Sequence, residues 1–193
     1  KEQIIDQLSK ATQSVEYLSK IIDDFKSYYN YDSIEKLNYN ISEVLNDLKK
    51  LSSIEFEESG IDLIINSKDI NIFKSKTYLL EILINIIKNS KDAFGEVNVE
   101  EPVIIIDCEE DGDFVNINIK DNGGGISEAN LEKIFEPYFS TKFASIGVGL
   151  GLHIVFELVT KHFNGTVEAS NVKFKHNKKD YKGANIKISF PKN

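Results

Sequence analysis

Residues 81–92 read Glu81-Ile82-Leu83-Ile84-Asn85-Ile86-Ile87-Lys88-Asn89-Ser90-Lys91-Asp92. Steps of four set Glu81, Asn85 and Asn89 one turn apart on a single helix face, with Asp92 three further on, so oxygen-bearing side chains share that face. Around them Leu79, Leu80, Leu83, Ile86 and Ile87 form an apolar stripe, and the pattern predicts a long helix from about Lys76 to Phe94 with Gly95 as its stop signal. Asparagine is a middling helix former, so two of them four apart amid Ile and Leu ask for a reason beyond propensity. The spacing alone fits ligand-binding amides, but polar side chains that cap loops or face water are its commoner explanation.

Working outward, Val103 to Glu109 and Phe114 to Lys120 are β-rich runs separated by Glu110-Asp111-Gly112-Asp113, a hairpin signal. Ile61 to Asn66 and Ile70 to Phe73 read as short strands, Ser42 to Glu57 as a helix after a short segment Glu35 to Asn40, and Ser127 to Lys133 as a short helix. Leu150 to Phe163 reads as a helix, and Thr166 to Ser170 and Ala184 to Phe190 as strands. The lysines at 173, 175, 178, 179 and 182 read as a solvated turn between those strands. The result is an α+β, two-layer sandwich.

Ahead of it, Ile4, Leu8, Ala11, Val15, Leu18, Ile22, Phe25 and Tyr29 recur at steps of four and three, a bundle or coiled-coil seam on a long N-terminal helix. Turn formers at Asn30 to Ser33 end it, so we expect one unit over residues 1–33 and a second over 34–193. An exposed seam of this kind calls for a helical partner, a second copy of the chain above all.

Composition narrows the chemistry. The 193 residues are 41% hydrophobic and 28% charged, enough for one sizeable core, and the net charge of −8 argues against a nucleic-acid surface. All 23 basic residues are lysine, so planar arginine clamps on phosphate are out of reach and a bound anion must be met by backbone N–H groups, lysine or a metal ion. Cys108 has no internal disulfide partner, and no run reaches the roughly 20 apolar residues of a membrane span. A reducing, cytoplasmic setting fits. Methionine is absent even at position 1, which reads as a piece of a longer protein whose other parts could include a membrane anchor.

Two glycine runs complete the candidate site. Asp121-Asn122-Gly123-Gly124-Gly125 follows a strand directly; glycine lets the backbone approach a ligand and a strand-end carboxylate can accept from an amino group, although glycine with aspartate also makes ordinary turns. Gly147-Val148-Gly149-Leu150-Gly151-Leu152 leads into the predicted helix, whose free N–H groups and positive dipole end suit a phosphate. Its pattern differs from both the dinucleotide fingerprint and the P-loop. Between the runs, Ile134-Phe135-Glu136-Pro137-Tyr138-Phe139-Ser140-Thr141-Lys142 reads as a loop pinned by aromatics that could fold over a ligand.

In this order the four pieces resemble the Bergerat-fold (GHKL) ATPase and kinase superfamily, which includes gyrase, heat-shock protein 90 and the sensor histidine kinases, over residues 35 to 193. The resemblance implies an ATP site with Asn89 as the Mg2+ ligand and Asp121 as acceptor for the adenine amino group. It likewise implies that Gly123, Gly125 and Ile126 shape the adenine pocket, that Gly147, Val148, Gly149, Leu150, Gly151 and Leu152 line the phosphates, and that Phe135 to Ile146 form a lid carrying Lys142. Asp92 joins the cofactor contacts, and Asn85 and Lys142 are the expected catalytic residues. Phe94 is the expected stand-in for an aromatic that many histidine kinases place beside the nucleotide where this chain has Ala93.

Hydrolysing members place a glutamate general base one turn before the magnesium asparagine, where this chain has Asn85. An amide cannot take a proton from water, whereas a histidine imidazole needs no such help, so the resemblance points to the histidine-kinase branch. Tyr17 to Phe25 is similar to the second helix of the histidine kinases' dimerisation and phosphotransfer domain. None of His153, His162 and His176 resembles a phosphoacceptor. The resemblance therefore implies an acceptor helix outside this chain, homodimerisation through the N-terminal helix and a response-regulator partner. The alternatives are a catalytically silent nucleotide-binding or dimerisation module and an ATP-hydrolysing GHKL protein.

Overall fold

The computed structural model describes residues 35–141 and 149–193. The expected N-terminal helix and the positions of Lys142, Gly147 and Val148 lie outside the described residues.

The first strand, β1 (Leu37–Asn40), runs into helix α1 (Ile41–Glu58), and a reciprocal cap fixes the junction. Asn40 Oδ1 accepts from Ser42 N–H at 3.0 Å while Glu43 Oε1 accepts from Asn40 N–H at 3.3 Å, satisfying donors that no helical carbonyl reaches. Strands β2 (Asp62–Ser67) and β3 (Asn71–Lys74) follow, then α2 (Lys76–Val97), capped by Ser75 Oγ. Beyond it come β4 (Val103–Asp111), β5 (Phe114–Asp121), two 3-10 turns at Glu128–Asn130 and Lys133–Phe135, α3 (Gly151–Glu157, continuing as a π-helical stretch Leu158–His162), β6 (Thr166–His176) and β7 (Lys179–Pro191).

Five strands form one sheet in the order β2-β4-β5-β7-β6, with β2 and β4 parallel and the other pairs antiparallel; β1 and β3 make a separate two-stranded ribbon. Alternation along the strands sends Ile104, Ile106, Cys108, Val115, Ile117, Ile119, Ile186 and Ile188 to one buried face. The three helices cover that face with Ile41, Leu45, Leu48, Leu79, Ile82, Leu83, Ile86, Ile154, Val155, Leu158 and Val159. Asp107 and Lys120 stand on the other face, 2.7 Å apart. The α+β sandwich expected from the sequence is what forms.

Three expectations change. Helix α2 passes through Gly95 and ends at Val97, because Asn98 adopts the left-handed conformation (φ 49°) and its N–H reaches Phe94 O, so the asparagine supplies the cap. The lysine-rich stretch is strand rather than loop: β6 and β7 pair from Thr166 to His176, and only Asn177 and Lys178 (φ 48° and 65°) make the turn. Within the short segment Glu35 to Asn40, Leu37–Asn40 is a strand whose partner β3 lies more than thirty residues on.

Candidate functional site

A cavity of about 450 Å³ opens between α2, the end of β5, the 3-10 turns and the start of α3, within the ordinary range for a small-molecule site. On α2, Asn85, Asn89 and Asp92 line it along one face, as their spacing predicts. Asn85 Nδ2 donates to Glu81 O at 3.0 Å and Asn89 Nδ2 to Asn85 O at 2.9 Å. The helix backbone thus occupies each amide nitrogen and leaves the carboxamide oxygen as the end for a cation or donor.

Asp121 closes β5, only 7% exposed. Its Oδ1 accepts from Gly123 N–H at 2.9 Å and Ala184 N–H at 3.3 Å, and its Oδ2 accepts from Ser90 Oγ at 3.0 Å. A carboxylate offers about four acceptor positions, so these three bonds orient it and leave room for one ligand donor. Next to it, Asn122 turns away from the cavity and ties the strand ends, accepting from Val103 N–H and donating to Glu101 O, both at 2.8 Å. Gly123 packs so closely on α2 that a Cβ there would stand 3.0 Å from Ala93 Cβ.

At the far end, Gly149, Leu150, Gly151 and Leu152 line the cavity. Gly149 has φ +72°, and a Cβ there would fall 2.5 Å from Phe139 O, so only glycine lets this backbone pass beneath the aromatic loop. A Cβ on Gly151 would sit 3.2 Å from Asn85 Oδ1, which puts the start of α3 directly against the asparagine pair. Gly151 and Leu152, in its first turn, line the same space, and first-turn N–H groups have no helical carbonyl to donate to.

Of the residues singled out by sequence, the structure brings Asn85, Asn89, Asp92, Asp121, Gly123, Gly125, Ile126, Gly149, Leu150, Gly151 and Leu152 to this one cavity. Phe135 is not among its lining residues: its ring stacks obliquely on Phe156, 6.2 Å between centroids, and its carbonyl accepts from His153 Nδ1 at 3.0 Å. Phe94 does not line it either; it is 6% exposed in the core, and Ala93 lines the cavity instead. Sequence reasoning missed Ser90, Lys88, Glu96, Ala184 and Ile186, which also line it. Ser90 carried a signal, as a hydroxyl beside Asn89 on an apolar helix. Ala184 and Ile186 carried none, because they arrive from β7 through long-range strand pairing. His162 lies against the Tyr78 ring, 4.9 Å between centroids.

Residues 75–193 match the family described as histidine kinase-, DNA gyrase B- and HSP90-like ATPase, well over half of the chain. The chain belongs to that family. With it comes an ATP-binding domain, and the cavity is where that domain's matched elements converge. Among curated proteins it is 33% identical over 123 residues to sporulation kinase B of Bacillus subtilis, covering 64% of this chain and 26% of that protein. It is 35% identical over 115 residues to sensor histidine kinase ZraS of Escherichia coli O157:H7, covering 60% of this chain and 22% of that protein. With the two-component sensor PprA of Pseudomonas aeruginosa the identity is 37% over 97 residues, 48% of this chain and 10% of that protein. The matched part thus spans between a tenth and about a quarter of these relatives.

Among solved structures, the catalytic domain of histidine kinase ThkA, nucleotide-free, superposes with a TM-score of 0.68 at 24% identity, covering 82% of this chain and 97% of that one. Full-length ShkA in complex with AMPPNP gives 0.71 at 20% identity, covering 98% and 38%. ThkA in complex with response regulator protein TrrA gives 0.73 at 22% identity, covering 94% and 49%. At these identities the likeness establishes the fold. No helix among the described residues is long and apolar enough to cross a membrane.

Proposed function

We propose that the chain is the catalytic part of a cytoplasmic sensor histidine kinase that binds Mg-ATP and donates its γ-phosphoryl group to a histidine outside this chain. The observation that carries the reading is Asn85. It faces the cavity one turn before Asn89, with its nitrogen bonded to Glu81 O, where a hydrolase would need a proton acceptor. An amide at that position cannot deprotonate water, while a neutral imidazole already has its attacking lone pair.

In this reading the adenine amino group donates to Asp121, whose other acceptor positions are taken by Ser90, Gly123 and Ala184, and the base lies among Ala93, Ile126, Ala184 and Ile186. Asn89 offers one neutral oxygen, and no group of three or more His, Cys, Asp or Glu capable of holding a metal occurs among the described residues. That donor set suits Mg2+, which binds through one or two protein oxygens, substrate phosphates and water. The ion would supply neutralisation of the β and γ oxygens. The first-turn N–H groups of α3 at Gly151 and Leu152 meet the phosphates, with Lys142, Gly147 and Val148 as the expected further contacts. The attacking imidazole nitrogen forms the N–P bond as the bond from the γ-phosphorus to the β-γ bridging oxygen breaks and ADP leaves. The chain's own work is positioning and charge neutralisation.

Residues 1–33 are proposed as a helix of the dimerisation and phosphotransfer domain, joining two copies, with a response-regulator receiver domain as the next acceptor. The test is incubation with Mg2+, γ-labelled ATP and a separately made helical domain bearing an acceptor histidine. Acid-labile label on that domain, lost with Asn89→Ala, is the expected result. Nucleotide binding without transfer would instead make the chain a silent nucleotide-binding or dimerisation module. Rapid phosphate release that survives Asn85→Ala would make it an ATP hydrolase.

A further inference from the structure

Strand β6 is the outermost strand of the sheet, yet one of its side chains reaches back across the ribbon to the glycine loop. Asn171 Oδ1 accepts from Ile126 N–H at 2.7 Å, and Asn171 Nδ2 donates to Ile126 O at 2.7 Å. The side-chain amide thereby satisfies both backbone groups of a residue 45 positions away, as a neighbouring strand would. The contact requires glycine beside it. Gly125 has φ +92°, and a Cβ there would fall 2.4 Å from Asn171 Oδ1.

The same ribbon grips the other end of the loop. Asn171 pairs with Ala184, whose N–H reaches Asp121 Oδ1, and a Cβ on the adjacent Gly183 would stand 1.7 Å from Asp121 O. The tip of the ribbon is itself tied down. Lys179 Nζ donates to both Glu101 oxygens (2.6 and 2.5 Å) and Tyr181 OH to Oε2 (3.2 Å), while Glu101 O accepts from Asn122. Loop 121–126 is therefore held at Asp121, at Asn122 and at Ile126, and Asn171 alone provides the side-chain hold on Ile126 among the described residues. Asn171 is not one of the residues lining the cavity, whereas Gly123, Gly125 and Ile126 are.

We propose that Asn171 is a positioning residue for the nucleobase end of the cavity: its two-point clasp presets the Gly123–Ile126 backbone against which the base packs. The proposal rests on the nucleotide reading of the cavity. It separates the two ends of the ligand, because the phosphate end is built by α2 and α3, whereas both side-chain hydrogen bonds of Asn171 go to Ile126.

The experiment compares wild type, Asn171→Ala and, as a control on the same strand, Lys173→Ala. Amide hydrogen exchange at Ile126, thermal unfolding, and affinity for ADP and for inorganic tripolyphosphate are measured. In Asn171→Ala, which removes both bonds, exchange at Ile126 is about tenfold faster and ADP affinity is about tenfold lower, a loss of about 1.4 kcal/mol. Tripolyphosphate affinity stays near wild type, the unfolding temperature falls by about 5 °C at most, and Lys173→Ala changes none of these. Unchanged Ile126 exchange, unchanged ADP affinity, or an equal loss for ADP and tripolyphosphate each overturns the proposal. A wild-type chain that binds neither ligand overturns the nucleotide reading beneath it, and the wild-type titration alone identifies that case.

Discussion

Replacing Asp121 by asparagine separates the structural work of this side chain from its proposed recognition of a base. In the folded chain Oδ1 receives two backbone N–H groups, from Gly123 and Ala184, so an asparagine there is held with its oxygen on that side. Its nitrogen then replaces Oδ2, and the Ser90 hydroxyl, which donates to the wild-type carboxylate, rotates to accept from the amide. All the internal bonds can re-form, so stability changes by less than about 1 kcal/mol. A ligand amino group does not fare as well. It meets an N–H instead of a carboxylate oxygen and forfeits a charge-assisted bond of about 1.5–3 kcal/mol, a loss of about 10- to 150-fold in affinity. A purine bearing a carbonyl at the same position meets a donor it can accept from. Calorimetric titration with ADP and with inosine diphosphate should therefore show ADP weakened by that range and the preference for ADP over inosine diphosphate narrowed or reversed. Unchanged ADP affinity would refute the assignment. So would an equal loss for both nucleotides accompanied by a lowered unfolding temperature, since the residue would then act only as a structural tie.

Three further outcomes follow from particular contacts. Gly95 lies inside α2 with nothing but the helix's own neighbouring backbone within 4 Å of where a Cβ would sit, so Gly95→Ala should raise stability by about 0.5–1 kcal/mol in denaturant unfolding; a loss would mean that the helix stops there after all. Burial pushes the Asp107 carboxyl up, but hydrogen bonds from Asn66 and Lys120 and the Lys120 charge outweigh it and hold the group below the usual carboxylate range. A depressed folded-state value contributes stability above the unfolded carboxylate range that disappears as pH falls through the folded value. Asp107→Asn should thus cost up to about 1 kcal/mol at neutral pH, and unfolding curves of the two proteins should converge in acid. Burial pushes the Cys108 thiol up to about 12, helped by the Asp107 charge and opposed by the Ser67 hydrogen bond. A thiol reagent at pH 8 should label Cys108 only in denaturant, and prompt labelling of the folded chain would place it at the surface.

The parts of this molecule that were legible in its sequence are those whose signals are local. Helix α2 announced itself by its apolar period, and its asparagines stand on the cavity side because a step of four fixes that geometry. The glycine runs were legible for a related reason, since Gly149 passes beneath Phe139 and Gly125 beside Asn171 where no Cβ fits. What stayed hidden depends on partners distant in sequence. β1 is four residues long and becomes a strand only through β3. The lysines of β6 and β7 read as loop because the ribbon there is exposed to solvent; its pairing is visible only in the structure, where the Phe174 and Tyr181 rings meet across it, 5.7 Å between centroids. Gly95 misled because glycine usually stops helices, whereas Asn98 does so here in the left-handed conformation. Ala184 and Ile186 reach the site from β7, and Asn171 reaches the loop beside it from β6, a placement set by strand order and invisible to any window of sequence.

The most direct test of the ATP site is a crystal structure of the chain with Mg2+ and a non-hydrolysable ATP analogue. The account predicts the adenine amino group at hydrogen-bonding distance from Asp121, the base against Ile126 and Ile186, and the triphosphate between Asn89 and the N–H groups of Gly151 and Leu152. Nucleotide bound outside this cavity, or inside it with the base at the asparagine pair and the phosphates at Asp121, would contradict it.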